Sequence, residues 1–235
     1  MKATALKYDV HYPESDGKPL GETEIHRDEI VDLIRALQRH FREAPDVYVG
    51  GDMFLYYVEG EPSCVVCPDV FVARGVDKTV RRIYKLWDEG HPPFLVIEVT
   101  SPSTRAADLK SKKETYERLG VEEYFLHDPL NEYLRPSLQG FRLEEGRYRP
   151  IQPNPDGSLS SQTTGLTLRP EGQNLRLSET ATGKPLLFIP EIEEKAERAE
   201  AEVRRQAERA AQAEERAREL EEELASLRRE RDSLG

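Results

Sequence analysis

Apolar positions change their period several times along the chain, and each change marks an element. From about Thr23, Ile30, Leu33, Ile34, Leu37 and Phe41 recur at the i, i+3, i+4, i+7 spacing of a helix with one core-facing stripe. His26 lies in line with that stripe at the start of the helix, where a lone histidine is most often a satisfied core or cap residue. Short strand-like runs follow: Asp46–Val49, MFLYYV over Met53–Val58, and VVCPDVFVA over Val65–Ala73. The last contains one acid, Asp69, which shares a face with Cys67, Phe71 and Ala73 by the period of two. Pro68 removes a backbone donor there, so an edge or bulge is expected just before the acid. Residues 78–90 place Val80, Ile83, Tyr84 and Trp87 at helical spacing with Arg81, Arg82 and Lys85 outside, which predicts a crossover helix or an ordered loop.

The stretch FLVIEVTSPSTRAADLKSKKETYERL, Phe94 to Leu119, organises the rest. Phe94–Val99 reads as a central strand covered on both faces, interrupted only by Glu98. By strand alternation Glu98 shares a face with Phe94, Val96 and Thr100, and a carboxylate there needs a cationic partner. Pro102 ends the strand, and a helix is expected from about Asp108 to Leu119 with Gly120 as its C-terminal cap. Setting Leu109 at 0°, Tyr116 lies at about −20°, Lys112 at about −60° and Leu119 at about −80°. Lys113 falls at about +40° and Lys110 at about +100°, so Lys112 is the lysine inside the apolar arc. A buried ion pair without chemistry, or a snorkelling lysine, is the plain alternative. Tyr124–His127 then reads as a strand stopped by Asp128-Pro129, completing a βαβ pattern.

Beyond Arg135 the pattern becomes hairpin-like. FRLEEGRYRPI and LTLRPEGQNLRL each turn at a glycine, separated by PNPDGSLSS. After Pro190, Glu191–Asp232 holds no Gly or Pro. One heptad register runs through it: Ala196, Val203, Ala210, Ala217 and Leu224 at one seam position, with Ala199, Gln206, Ala213, Leu220, Leu227 and Leu234 at the other. This predicts a coiled coil and self-association through it. The expected division is a lead-in at 1–22, a core at 23–134, a β-hairpin-rich appendage at 135–189 and a coiled coil at 190–235.

Charge narrows the function. The net charge of −11 gives no global attraction for nucleic acid, so a polyanion would need a local basic patch or bound cations. No apolar run is long enough to span a bilayer and no signal-peptide hydrophobic region is evident, which points to a cytoplasmic protein. The two cysteines, Cys64 and Cys67, form a lone C-x-x-C in a strand-like run. Without a second pair a zinc site lacks ligands, and small buried hydrophobes are the better reading.

Two strand acids and a helix lysine form a set suited to phosphodiester hydrolysis: carboxylates for a hard divalent cation and an ammonium beside it. At this point the chain resembles the PD-(D/E)XK nuclease superfamily, through Pro68-Asp69 and, about thirty residues on, Glu98 in an apolar strand. It is more closely similar to the Uma-two family of that superfamily, a group described as restriction endonucleases. That resemblance rests on His26-Arg27-Asp28, Cys67-Pro68-Asp69-Val70-Phe71 and Val96 to Arg105 (VIEVTSPSTR). It continues through Asp108 with Lys112 and Tyr116, Gly120-Val121-Glu122-Glu123-Tyr124-Phe125, and Asp128-Pro129. It implies an α/β, restriction-endonuclease-like core, a mixed sheet flanked by helices, carrying the β-hairpin appendage and C-terminal coiled coil. It further implies a Mg²⁺- or Mn²⁺-dependent endonuclease acting on nucleic acid, DNA above all. Asp69 and Glu98 would be the metal ligands, Lys112 the lysine assisting the attacking water, and His26 a further member. Thr100 stands where the wider superfamily has its lysine. The alternative is a catalytically silent member that binds nucleic acid or protein and oligomerises.

Overall fold

The computed structural model describes residues 10–15, 17, 23–101 and 103–233. Most of the lead-in expected at 1–22, together with Pro102 and Leu234, lies outside the described residues. Residues 1–188 form one compact unit and residues 189–235 another.

The first unit is built on a six-stranded sheet in the order β1-β4-β6-β7-β8-β9. Its strands are β1 (Val47–Gly50), β4 (Val70–Arg74), β6 (Pro93–Val99), β7 (Glu123–His127), β8 (Leu138–Glu144) and β9 (Arg147–Pro150). Only β6 and β7 run parallel, so the sheet is mixed, and a helical crossover joins that pair as the βαβ pattern requires. Every residue of β6 and β7 is buried, as expected of central strands covered on both faces.

One face is covered by α1 (Glu24–His40) and by a three-stranded sheet of β10 (Leu159–Ser160), β11 (Leu166–Glu171) and β12 (Asn174–Glu179). The α1 helix begins where foreseen because the Thr23 side chain caps it, accepting the His26 N–H at 3.3 Å. Ile30, Leu33 and Leu37 pack against Val70, Val72, Leu95 and Ile97. The opposite face holds an aromatic cluster of Tyr48, Phe71, Tyr84, Tyr116, Tyr124 and Tyr148. A second small sheet, β3 (Val65–Val66), β2 (Leu55–Tyr56) and β5 (Tyr84–Lys85), packs on this side.

Several expectations are corrected. The hairpin at 138–150 does not belong to an appendage: β8 pairs with β7 and extends the central sheet. Only the later hairpin, β11–β12, sits in a separate sheet. Of the two readings of residues 78–90, the ordered loop holds and the crossover helix does not: they give β5 and a single turn, α2 (Leu86–Glu89), while Val80 is 93% exposed. Arg81 is turned inward rather than solvated, pairing with Glu89 at 2.6 Å and with Asp77 at 2.8 Å. The run Val65–Ala73 is two strands, because Pro68 breaks it just before Asp69 and the halves join different sheets. Phe94 leaves the face of Val96 and Glu98: Val72 pairs with Leu95 but Ala73 with Pro93, so Phe94 is the extra residue of a bulge.

The second unit is one helix, α4 (Ile189–Ser233), whose Val203, Leu220, Leu224 and Leu227 are exposed.

Candidate active site

The strand break at Pro68 places Asp69 at the mouth of β4, directly across from the end of β6. The two acids interlock through backbone donors. The Asp69 N–H donates to Glu98 Oε2 at 3.2 Å, and the Val99 N–H donates to Asp69 Oδ2 at 2.7 Å. Antiparallel pairing of Val70 with Ile97 fixes this register. Gly51 makes the approach feasible: a Cβ there would lie 2.1 Å from the Asp69 carbonyl and 2.7 Å from Ile34 Cδ1.

The helix between β6 and β7 supplies the cation. It starts as a π-helical stretch, Ala107–Lys112, and becomes α-helical as α3, Lys113–Leu119, ending at Gly120 in the left-handed conformation. The wider π turn brings Asp108, Lys112 and Tyr116 onto the inner side at four-residue intervals, while Leu109 is 42% exposed. Leu109 therefore does not anchor the buried stripe, and the helix is rotated from its expected setting. Lys112 nevertheless points inward, with its Nζ 2.8 Å from Glu98 Oε2. Lys113 instead stacks its ammonium over the Phe141 ring at 3.4 Å, and Lys110 is exposed.

Two residues given no role by their sequence pattern complete the set. Tyr116 donates its hydroxyl to Glu98 Oε1 at 2.7 Å, so both oxygens of Glu98 are held. Asp108 is fully buried, with Oδ1 3.1 Å from Lys112 Nζ. The Thr104 side chain, one turn back, is the other partner of the Asp108 carboxylate. The Tyr124 hydroxyl, from β7, donates to the Asp108 carbonyl at 2.9 Å and ties the π turn to the sheet. The D-x₃-K-x₃-Y spacing was visible, but a π turn has no local signature that tells the buried aspartate from a solvated one.

Three carboxylates thus surround one ammonium. Burial pushes Glu98 up to about 7 and Asp69 up to about 6, although Lys112 pulls each down. Burial also depresses Lys112, but Glu98, Asp69 and Asp108 together more than reverse this, so it is held as an ammonium well above the usual lysine range. His26 reaches the same place from α1: its Nε2 lies 2.6 Å from the Val99 carbonyl and 3.8 Å from Asp69 Oδ2. A carbonyl only accepts, so Nε2 carries the proton. All four sequence-predicted residues, His26, Asp69, Glu98 and Lys112, therefore meet at one strand end. Cys67, two residues from Asp69, is half-buried and its thiol is pushed up to about 12 by burial, which suits neither a nucleophile nor a ligand.

The donor set fits a hard divalent cation in a particular way. Among the described residues no group of three or more His, Cys, Asp or Glu side chains is arranged to hold a metal. Asp69 and Glu98 supply two carboxylates, both buried, and one or two carboxylates with water and phosphate oxygens completing the shell is how Mg²⁺ is usually bound. A cavity of 470 Å³ lined by Arg135, Leu138, Phe141 and Ile151 includes none of these residues.

A mixed sheet flanked by helices, with two acids at facing strand ends and a lysine entering from the crossover helix, defines a restriction-endonuclease-like α/β core. The family model described as "Uma2: Putative restriction endonuclease" matches residues 6–173, and the chain belongs to that family. A solved structure titled a "putative nuclease belonging to DUF820 from Anabaena variabilis ATCC 29413" is 12% identical, covering 63% of this chain and 76% of that one, with a TM-score of 0.47. No curated protein matches.

Proposed function

We propose that this protein is a divalent-metal-dependent endonuclease that hydrolyses phosphodiester bonds of DNA, with Asp69 and Glu98 holding Mg²⁺ or Mn²⁺. The observation that carries this reading is the convergence of the two strand acids with the Lys112 ammonium on Glu98 Oε2. The bound cation would supply Lewis-acid polarisation of the phosphodiester and of the attacking water. Tyr116 fixes the Glu98 carboxylate from one side, and the Val99 N–H fixes Asp69 from the other. Lys112, held charged, is placed to offset the negative charge that develops on phosphorus. It supplies the ammonium that Thr100 cannot. His26 keeps α1 seated on the end of β6 and leaves Asp69 in its bonded position. With a net charge of −11, binding to DNA depends on the cation and falls with salt.

The test is plasmid cleavage with Mg²⁺ or Mn²⁺ against a chelator control. Glu98→Gln, which preserves shape and keeps an acceptor for the Asp69 N–H while the Tyr116 hydroxyl turns to accept from the new amide, is expected to abolish cleavage. Lys112→Ala should lose about 100-fold or more in rate, the scale of a directly acting charged group, whereas Lys113→Ala stays within about threefold. Cleavage that survives in Glu98→Gln or in chelator would sink the assignment, and the reverse order of the two lysines would remove Lys112 from it.

A further inference from the structure

Lys112 sits where the proposed cation has to act. Its Nζ, 2.8 Å from Glu98 Oε2, engages an oxygen that already accepts the Asp69 N–H, while Tyr116 takes Oε1. A cation drawing on Glu98 must compete with this ammonium. Asp108, 3.1 Å from the same Nζ, is wholly buried, with Lys112 as its cation and the Thr104 side chain as its other partner. A buried ionised carboxylate is costly without a cation, and Lys112, shared here with Glu98, is the cation within reach of Asp108. The π turn leaves these two side chains on one face four residues apart, so Lys112 can lean from Glu98 to Asp108 without leaving the site.

We propose that Asp108 is a positioning residue that receives Lys112 when a divalent cation takes Glu98. This rests on the metal reading of Asp69 and Glu98. In the cation-free protein Lys112 bridges Glu98 and Asp108 and neutralises part of the acidic cluster. With the cation bound, Lys112 releases Glu98 Oε2 and pairs with Asp108 alone, which keeps its charge beside the reacting phosphate. Removing Lys112 removes the competitor; removing Asp108 strands Lys112 on Glu98.

Mn²⁺ binding to the full chain without nucleic acid, followed by calorimetry, tests this through a double-mutant cycle of Lys112→Met and Asp108→Asn. Lys112→Met is expected to tighten Mn²⁺ binding about tenfold or more, since a like charge leaves the site. Asp108→Asn should weaken it about tenfold with Lys112 present, and about threefold at most in the Lys112→Met background. Equal weakening in both backgrounds would mean that Asp108 acts on the cation directly, and would overturn the proposal. Binding in the parent protein that Lys112→Met leaves unchanged also overturns it while the metal reading stands. Failure of both the parent and Lys112→Met to bind Mn²⁺ removes the metal reading, and this proposal with it. Should Lys112→Met not fold by circular dichroism, Lys112→Gln, which keeps a donor to Glu98 without the charge, takes its place.

Discussion

Glu29, on α1 one turn from His26, is a buried carboxylate outside the proposed site. It is 3% exposed and accepts the Leu175 N–H at 2.6 Å, pinning α1 to β12. Burial raises it to about 7, with the Leu175 bond and Arg176 acting the other way and Asp32 adding to the rise. A carboxyl raised on folding contributes nothing unfavourable below its unfolded value and costs stability as pH climbs through the folded one. For Glu29 that window runs from the ordinary glutamate value to about 7. The full displacement corresponds to about 3–3.5 kcal/mol at most. Glu29→Gln keeps an acceptor for Leu175 and removes the charge. It should therefore stabilise the protein by about 1–3 kcal/mol at pH 8, and the gain should vanish near pH 4, read from urea unfolding of both proteins at the two values. An equal gain at both pH values would mean that packing, not ionisation, sets the cost. At this scale the sequence was most legible where a residue violated its surroundings. Glu98 stands out in an apolar strand because charge is costly there, whereas the arc that singles out Lys112 is anchored on Leu109, which is 42% exposed, so its inward direction rests on Tyr116 and Leu119 alone. Asp108 does not stand out, since an aspartate early in a helix is unremarkable until the backbone turns it inward. Whether Lys112 is charged also lay beyond the sequence, because burial and three carboxylates oppose one another and only their distances decide.

At the scale of elements, α1, β6, β7 and the hairpins follow from spacing and glycine placement. The failures share a cause: the ideal period was assumed where the backbone departs from it. A π turn shifts Leu109 outward, a bulge removes Phe94 from the face of Glu98, and Pro68 divides one apparent strand between two sheets. Residues 78–90 mimic a helix, yet Arg81 pairs with Glu89 and Asp77, and its guanidinium lies 4.6 Å from the Tyr48 ring centroid, which pins a loop instead. Gly51 is the backbone position on which the site most depends, since the Asp69 carbonyl occupies the space of its missing side chain. Gly51→Ala should displace the Asp69 mouth of β4 and lower metal-dependent cleavage by about 10-fold or more, with an overpacking cost of about 1–3 kcal/mol. Gly60→Ala is the control, because its Cβ would meet nothing within 4 Å, although its φ of 88° imposes local strain. Cleavage by Gly51→Ala equal to that of Gly60→Ala would show that the close approach does not position Asp69.

For the whole molecule, the division after Phe188 separates a unit with two buried cores from a helix that is nearly all exposed. At 1.5 Å per residue, α4 is about 68 Å long. Two features act on it with opposite consequences. Local pairs such as Glu194–Arg198 at i, i+4 support a solitary helix, but each contributes only about 0.3–0.5 kcal/mol. Val203, Leu220, Leu224 and Leu227 all fall on the heptad seam and are 49–67% exposed. Burying the exposed half of one such leucine against a partner helix is worth about 0.8–1.5 kcal/mol, roughly two to three times a surface ion pair, so the seam outweighs the local pairs. Association of α4 with a second copy is therefore expected, with the leucine-rich end contributing most and the alanine-rich end adding little. Removing residues 189–235 should leave a folded, metal-binding first unit and lower the particle mass measured by light scattering from dimer to monomer. The paired change Leu220→Glu with Leu227→Glu in the full chain should do the same, because it places like charges across the seam without shortening the protein. A truncated protein that keeps the oligomeric state of the full chain would assign association to the first unit. A full chain that is already monomeric at micromolar concentration would make α4 a solitary helix.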